Sequence, residues 1–237
     1  MAADIPAGGA GSQTLSRGIR ILEILADADR ALSIDEVAAE LGVHRSVAYR
    51  LLRTLEHHGL ASRDAAGRIA LGAGLAALAA GVQRDLQQLA LPELAEVAEE
   101  LGMTCLLAVL LDGDEAVTLV SASPRRTAAV SYRPGHRHPI TRGGPGKAIL
   151  MGLPESRWPD EVPAALRAEI AESRARGYTV SHDEVVPSLR SVAVPLNLPG
   201  QPPAAIAVIH VSFPRPEAEL AERLLVAASN LGRASGA

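Results

Sequence analysis

Residues 33–59 read SIDEVAAELGVHRSVAYRLLRTLEHHG, and this stretch decides the fold of the first third of the chain. Ser33 followed by Glu36 is a capping box, in which the Ser33 oxygen accepts the Glu36 amide proton and the Glu36 side chain reaches back. The spacing predicts a helix to Leu41 that buries Ile34, Val37, Ala38 and Leu41. Gly42 then takes the left-handed conformation that turns the chain sharply. A further helix, about His44 to His58, sets Ala48, Leu51, Leu52 and Leu55 at i, i+3, i+4 and i+7, so one face is committed to a core. The opposite face carries Arg45, Ser46, Tyr49, Arg50 and Arg53.

A helix fits the major groove of B-DNA, where Arg forms paired hydrogen bonds to guanine and Ser can donate or accept. The N-terminal residues of such a helix meet base edges, here Arg45, Ser46 and Tyr49, while Arg50 and Arg53 are spaced for phosphates. After Gly59, Leu60–Arg63 and Arg68–Leu71 flank the turn Asp64-Ala65-Ala66-Gly67, a hairpin with Arg63 and Arg68 at its shoulders: a wing. From His44 to Arg68, five Arg oppose Glu56 and Asp64, a local +3. Upstream, a helix over Leu15 to Ala28 lines up Leu15, Ile19, Leu22 and Leu25 as one apolar stripe. Ile21 and Ile24 give it a second apolar face, read as a wide core face or a dimer contact.

The rest of the chain bounds the problem. Its 237 residues carry 23 basic and 27 acidic side chains, a net of −4, so binding to nucleic acid must come from a local patch. Hydrophobic content of 48% with 21% charged residues belongs to a folded protein. The lone Cys105 excludes an internal disulfide and a Cys-cluster metal site. No basic-then-apolar leader opens the chain, and the longest uncharged stretch, Val192 to Phe213, is interrupted by four prolines. A spanning helix needs roughly 20 mainly apolar residues without such breakers. The expectation is a soluble, cytoplasmic protein without a membrane partner.

From Thr104 onward short apolar runs replace the helical pattern: Thr104–Leu111, Ala116–Ser121, Ala128–Arg133, Tyr178–Ser181, Ser191–Leu198 and Ala204–Phe213. Asp112-Gly113 and Pro199-Gly200 are turns between such runs. Strands segregated from helices predict an α+β chain with an antiparallel sheet. The divisions are a mobile tail at 1–12, a DNA-binding unit at 13–73, a linking helix at 74–91 with Pro92 at its end or at the start of the next helix, and a second unit at 92–237.

Candidate chemistry elsewhere is thin. Gly143-Gly144-Pro145-Gly146-Lys147 lacks the Gly at 141 and the Ser or Thr at 148 that a nucleotide-binding P-loop requires. Cys105, in an apolar strand, reads as an inert buried thiol rather than a nucleophile for His136 or His138. Those two His, one residue apart, have no third ligand nearby, so no metal is expected. Asp183-Glu184 is a paired carboxylate, read as an exposed turn or the partner of an Arg. No enzyme signature survives, and no cofactor is expected.

Several stretches are recognisable together. Thr14-Leu15-Ser16-Arg17-Gly18-Ile19-Arg20-Ile21-Leu22, Leu41 to Leu52, and the wing from Asp64 to Gly72 resemble the IclR (isocitrate-lyase-regulator) family. Gly143 to Ala148, Arg176-Gly177-Tyr178, Asp183-Glu184 and Leu189-Arg190-Ser191-Val192-Ala193 agree with its C-terminal half, so the resemblance spans about residues 14–232.

The resemblance implies a one-component transcriptional regulator. A winged helix–turn–helix would bind a pseudo-palindromic operator, joined by a linker helix to a GAF-like effector domain with a curved antiparallel sheet, in dimers or tetramers paired through the first helices. It implies that a small effector sits against Arg142, Gly143, Gly144, Pro145, Ser181, Asp183, Leu189, Ser191, Ala207 and Ile209. A Gly-rich loop opening a helix exposes amides, which suits an anionic effector. The chain departs from the family at Ser191, where a Cys is usual, and at Ala207 and Ile209, where some relatives carry hydroxyls. It also departs in the lead-in Ile140-Thr141-Arg142-Gly143. The departures imply a larger or more apolar ligand, with Arg142 as a partner for its acid group. The alternative reading is a ligand-binding or enzymatic C-terminal domain carrying an inherited, inactive head.

Overall fold

The computed structural model describes residues 11–111, 114–125, 130 and 132–236, in two compact units that divide at Arg84/Asp85. The tail at 1–10, the Asp112-Gly113 turn and half of the expected Ala128–Arg133 strand lie outside the described residues, and its described members Val130, Tyr132 and Arg133 belong to no strand. No described helix is long and apolar enough to cross a membrane.

In the first unit α1 spans Gln13–Asp27, α2 Ile34–Leu41 and α3 Arg45–His57. The Ser12 hydroxyl caps α1 by accepting from the Leu15 amide. The capping box on α2 is complete: the Ser33 amide donates to Glu36 Oε2 at 2.7 Å and the Glu36 amide to Ser33 Oγ at 3.3 Å. Arg30 and Ser33 together hold the Glu36 carboxyl down at about 2. Gly42, left-handed at φ 68°, closes the helix. Ile21, Ile24, Leu25, Val37, Leu51, Leu52 and Leu55 form one core. The core side of α1 is therefore the Ile21/Ile24 face, and Leu15 (64% exposed) and Ile19 (49%) point outward. Both faces of α1 are apolar, so periodicity alone could not choose between them.

Strands β1 (Ala61–Arg63) and β2 (Ile69–Leu71) pair antiparallel as the wing, and Leu32 bridges to Ile69 as a short third edge. Asp64 Oδ1 accepts from the Ala66 and Arg68 amides and shapes the turn. The expected linking helix is two helices: α4 (Gly74–Ala79) and α5 (Arg84–Leu101). The four residues between them break the helix, with Gln83 at φ 47°. No residue of α4 is buried, so no packing offsets the weak propensity at Gly81. Pro92 lies inside α5 rather than at a boundary.

The second unit is a six-stranded antiparallel sheet in the order β5-β4-β3-β8-β7-β6. The strands are β3 (Thr104–Leu110), β4 (Glu115–Ala122), β5 (Arg137–Pro139), β6 (Thr179–His182), β7 (Arg190–Leu196) and β8 (Ala204–His210). Alternation of side chains divides the core between two faces. Cys105, Leu107, Val192, Ile206 and Val208 pack with α5 and α8 (Glu217–Ser235). Leu106, Ala108, Ala193, Ala205 and Ala207 pack with α6 (Gly144–Gly152) and α7 (Ala164–Arg176). Alanines floor that second face, so α6 can lie close to the sheet. The three-residue β5 gave no sequence signal: it pairs with β4 through His138, opposite Ala116.

Candidate nucleic-acid interface and effector pocket

Helix α3 is fixed from behind by Ala48, Leu51, Leu52 and Leu55, which leaves its other face outward. There Tyr49 is 45% exposed, and Arg50 and Arg53 are exposed. Neither arginine forms a salt bridge among the described residues. The other expected contacts are engaged internally. The Arg45 guanidinium pairs with Asp35 of α2, an acid lying outside the His44–Arg68 window in which charge was counted. His44 caps α3: its Nδ1 accepts the Ser46 amide at 3.3 Å and lies 2.9 Å from the Ser46 hydroxyl, so Ser46 is engaged within the cap. Arg63 binds Glu56 through Nε at 2.9 Å and Nη2 at 2.8 Å, stapling the wing to α3. Arg68 donates to the Ala31 carbonyl at 3.2 Å. The side chains left free to reach a duplex are thus Tyr49, Arg50 and Arg53.

In the second unit the N-terminus of α6 faces β6 and β7. Gly143, at φ 75°, takes a conformation that side chains rarely adopt. A Cβ on Gly144 would sit 2.2 Å from Ser191 Oγ, and one on Gly146 would sit 2.9 Å from Ile140 Cα. Glycine is required there because the helix start lies against the sheet. The Gly144 amide donates to both Ser181 Oγ and Ser191 Oγ at 3.0 Å, and the Gly143 amide donates to Glu184 Oε2 at 2.7 Å. Lys147, only 2% exposed, donates to Glu169 at 2.5 Å and to Glu184 Oε1 at 2.6 Å.

A cavity of about 30 Å³ opens beside this cluster. Gly143, Pro145, Ser181, Leu189, Ser191 and Ile209 line it, as do Tyr132, His138 and Glu184, which the sequence reading did not place there. Four expected residues are elsewhere. Arg142 borders an open cleft beyond Lys147, because the left-handed Gly143 separates it from the helix start. Asp183 turns outward and its Oδ1 accepts the Ser188 amide, which shapes the β6–β7 turn. Ala207 lies opposite Ala193 in the sheet, beneath α6. Gly144 is sealed by the two serines. The partner of the Asp183-Glu184 pair is a lysine 37 residues back rather than an arginine.

His138 is 4% exposed, and neither ring nitrogen has a hydrogen-bond partner among the described residues. Burial, then the neighbouring His136, pushes its pKa down to about 4, so it is neutral near pH 7. The unfolded chain therefore takes up that proton first. The stability this gives is complete above pH 6.5 and is lost as the pH falls towards 4. Over that span the difference amounts to about 3 kcal/mol. His138→Gln is expected to lose less stability between pH 7 and pH 4.5 than the unaltered chain, by about 2 kcal/mol in urea titrations. Parallel pH profiles would refute this. Burial likewise raises the Cys105 thiol far above its ordinary range, so it does not act as a nucleophile. Among the described residues no group of three potential ligands could hold a metal ion.

Comparison with known proteins sets this arrangement in a family. The family model for the IclR helix–turn–helix domain matches residues 14–65, and that for the bacterial transcriptional regulator IclR C-terminal domain matches residues 161–233. An HTH-type transcriptional regulator of Mycobacterium tuberculosis is 32% identical over 91% of this chain and 89% of its own length. The crystal structure of an IclR transcriptional regulator from Alicyclobacillus acidocaldarius superposes with a TM-score of 0.82 at 26% identity, covering 95% of this chain and all of that one. An IclR homologue from Microbacterium hydrocarbonoxydans, crystallised with 4-hydroxybenzoate, shares the fold (TM-score 0.77, 23% identity, 94% and 100% covered). The capped helix, glycine turn, arginine-faced helix and wing, followed by a six-stranded sheet with a small pocket, thus belong to a member of the IclR family of transcriptional regulators, with a helix–turn–helix DNA-binding domain and a C-terminal ligand-binding domain.

Proposed function

We propose that this regulator grips duplex DNA through Tyr49, Arg50 and Arg53, with Arg45 and Arg68 recruited from weak surface pairs, and that a small carboxylic acid in the C-terminal pocket tunes that grip. The domain division proposed is a DNA-binding unit at 13–73 and an effector unit at 92–237, linked by the segment between them. The single observation that carries the DNA-binding reading is the pair of exposed guanidinium groups without salt-bridge partners on a helix whose opposite face is locked into the core. Exposed ion pairs are worth little, so Arg45 can leave Asp35 for a base edge at small cost. The Microbacterium homologue's ligand is a small hydroxy acid. An acid here is supported by the amides at the start of α6 and by the His138 imidazole. Pairing of two copies through α1 is supported by the outward Leu15 and Ile19.

The test is selection of duplexes from a random pool, followed by binding at several salt concentrations. A two-fold symmetric sequence should emerge, since a paired regulator reads two half-sites; a lone half-site would remove the dimer from the proposal. Arg50→Ala and Arg53→Ala should each lower the slope of log affinity against log salt by about 0.9. Arg63→Ala should lower it by clearly less, because Glu56 already neutralises that guanidinium. Equal slope changes for all three would show that the Arg63–Glu56 pair opens on DNA.

A further inference from the structure

The pocket holds an unusual occupant of its own. The Glu184 carboxylate projects from the β6–β7 turn onto the N-terminus of α6, with one oxygen on the Gly143 amide and the other on the Lys147 ammonium. An amide at a helix start and a buried cation are the groups that bind an external carboxylate. Immediately beside them lies His138: a Cβ built on Gly143 would be 3.4 Å from His138 Nε2. That imidazole is buried with one donor and one acceptor unused among the described residues. Lys147 borders the open cleft that Glu184 also lines, while the space beside Gly143, His138 and Glu184, about 30 Å³, is room for one or two water molecules. Val185, Val186 and Leu189 of the same turn close it. Asp183 (φ 59°) and Ser188 (φ 63°) hold the turn in backbone conformations uncommon for non-glycine residues.

We propose that Glu184 is a tethered stand-in for the effector's acid group, and that a small carboxylic acid enters by displacing it from Gly143 and Lys147, with a hydroxyl or carbonyl of the same ligand meeting His138. The proposal rests on the reading that this unit binds a small acid, and adds how the site is kept shut. One amide proton serves one carboxylate, and two carboxylates at this distance repel each other. The two therefore compete, and the tether gives Glu184 a high effective concentration. Only the fraction of chains with the turn released can take ligand, so the apparent affinity is lowered by that fraction.

The competition predicts chemical rescue. Melting temperatures of the full chain and of Glu184→Ala are measured at pH 7.5 in sodium acetate against sodium chloride of equal ionic strength. The variant is expected to respond to acetate with a half-saturating concentration at least tenfold below that of the unaltered chain, and acetamide should do nothing. Equal half-saturation in the two chains, or no response in the variant, overturns the proposal. Should Glu184→Ala fail to fold, Glu184→Gln keeps an oxygen on the Gly143 amide without the charge. It should shift the half-saturation in the same direction, and an unchanged value overturns the proposal. Glycolate, with its added hydroxyl, should bind more tightly than acetate to Glu184→Ala, and this preference should vanish when His138→Leu is added; a preference that persists removes His138 from the ligand's contacts. No arm of the test involves DNA, so its failure leaves the regulator reading standing, and loss of DNA binding leaves this one.

Discussion

A chain in which Arg50 and Arg53 are both changed to glutamate is expected to bind duplex DNA at least about a thousandfold more weakly, with its melting temperature nearly unchanged. The size follows from replacing two attractions by two repulsions against phosphate. Like-charge contacts cost several kcal/mol in an interface, and about 4 kcal/mol is a thousandfold. Stability is spared because both side chains are exposed, and surface substitutions away from special features stay within about 0.5 kcal/mol. Fluorescence anisotropy on a selected duplex, with thermal melting alongside, checks both halves. Binding retained within tenfold would place the interface off α3 and favour a ligand-binding protein with an inactive head.

The second large effect is on folding. Gly72→Ala puts a Cβ 2.1 Å from the Gly59 carbonyl oxygen, 2.8 Å from its carbon and 2.9 Å from the Ala61 nitrogen, all backbone atoms. The Gly72 amide donates to Leu60 and the Gly74 amide to Gly59, both at 2.9 Å, so the end of the wing and the end of α3 are tied together at this crossing. Neither strand can yield without breaking those bonds. Overpacking a tight site costs about 3 kcal/mol. In a unit of this size that lowers Tm by about 12 °C or more. Hydrogen exchange at the β1 and β2 amides is the sharper readout. Protection equal to that of the unaltered chain would show that the crossing relaxes freely.

What the sequence disclosed depended on how local the cause was. The Ser33–Glu36 box, the Gly42 turn and the two faces of α3 lie within one or two helical turns, and all were legible. So was the antiparallel sheet, from its apolar runs. Choices between two apolar faces were not: the Leu15/Ile19 stripe and the Ile21/Ile24 face read alike, and only packing against α2 and α3 selects Ile21 and Ile24. The arginines of the interface could be counted but not sorted, because the partners that engage them, Asp35 and Glu56, are matched in three dimensions. In the pocket, Gly143, Ser181 and Ser191 were found through family resemblance. His138 was missed because a three-residue strand carries no periodicity. Glu184 was seen as a turn carboxylate because nothing nearby in sequence shows its bonds to Gly143 and Lys147.

Lys147 is the only lysine in the chain, and it lies almost wholly inside the protein. The permanent side-chain cations on α3 and the wing are therefore all guanidinium groups, which stay protonated at any physiological pH and cannot be acetylated as amines. Acylation of lysines has no side-chain target on α3 or the wing. The one side-chain ammonium, Lys147, is held by Glu169 and Glu184, so its rate of acylation becomes a chemical clock for how often those two pairs part.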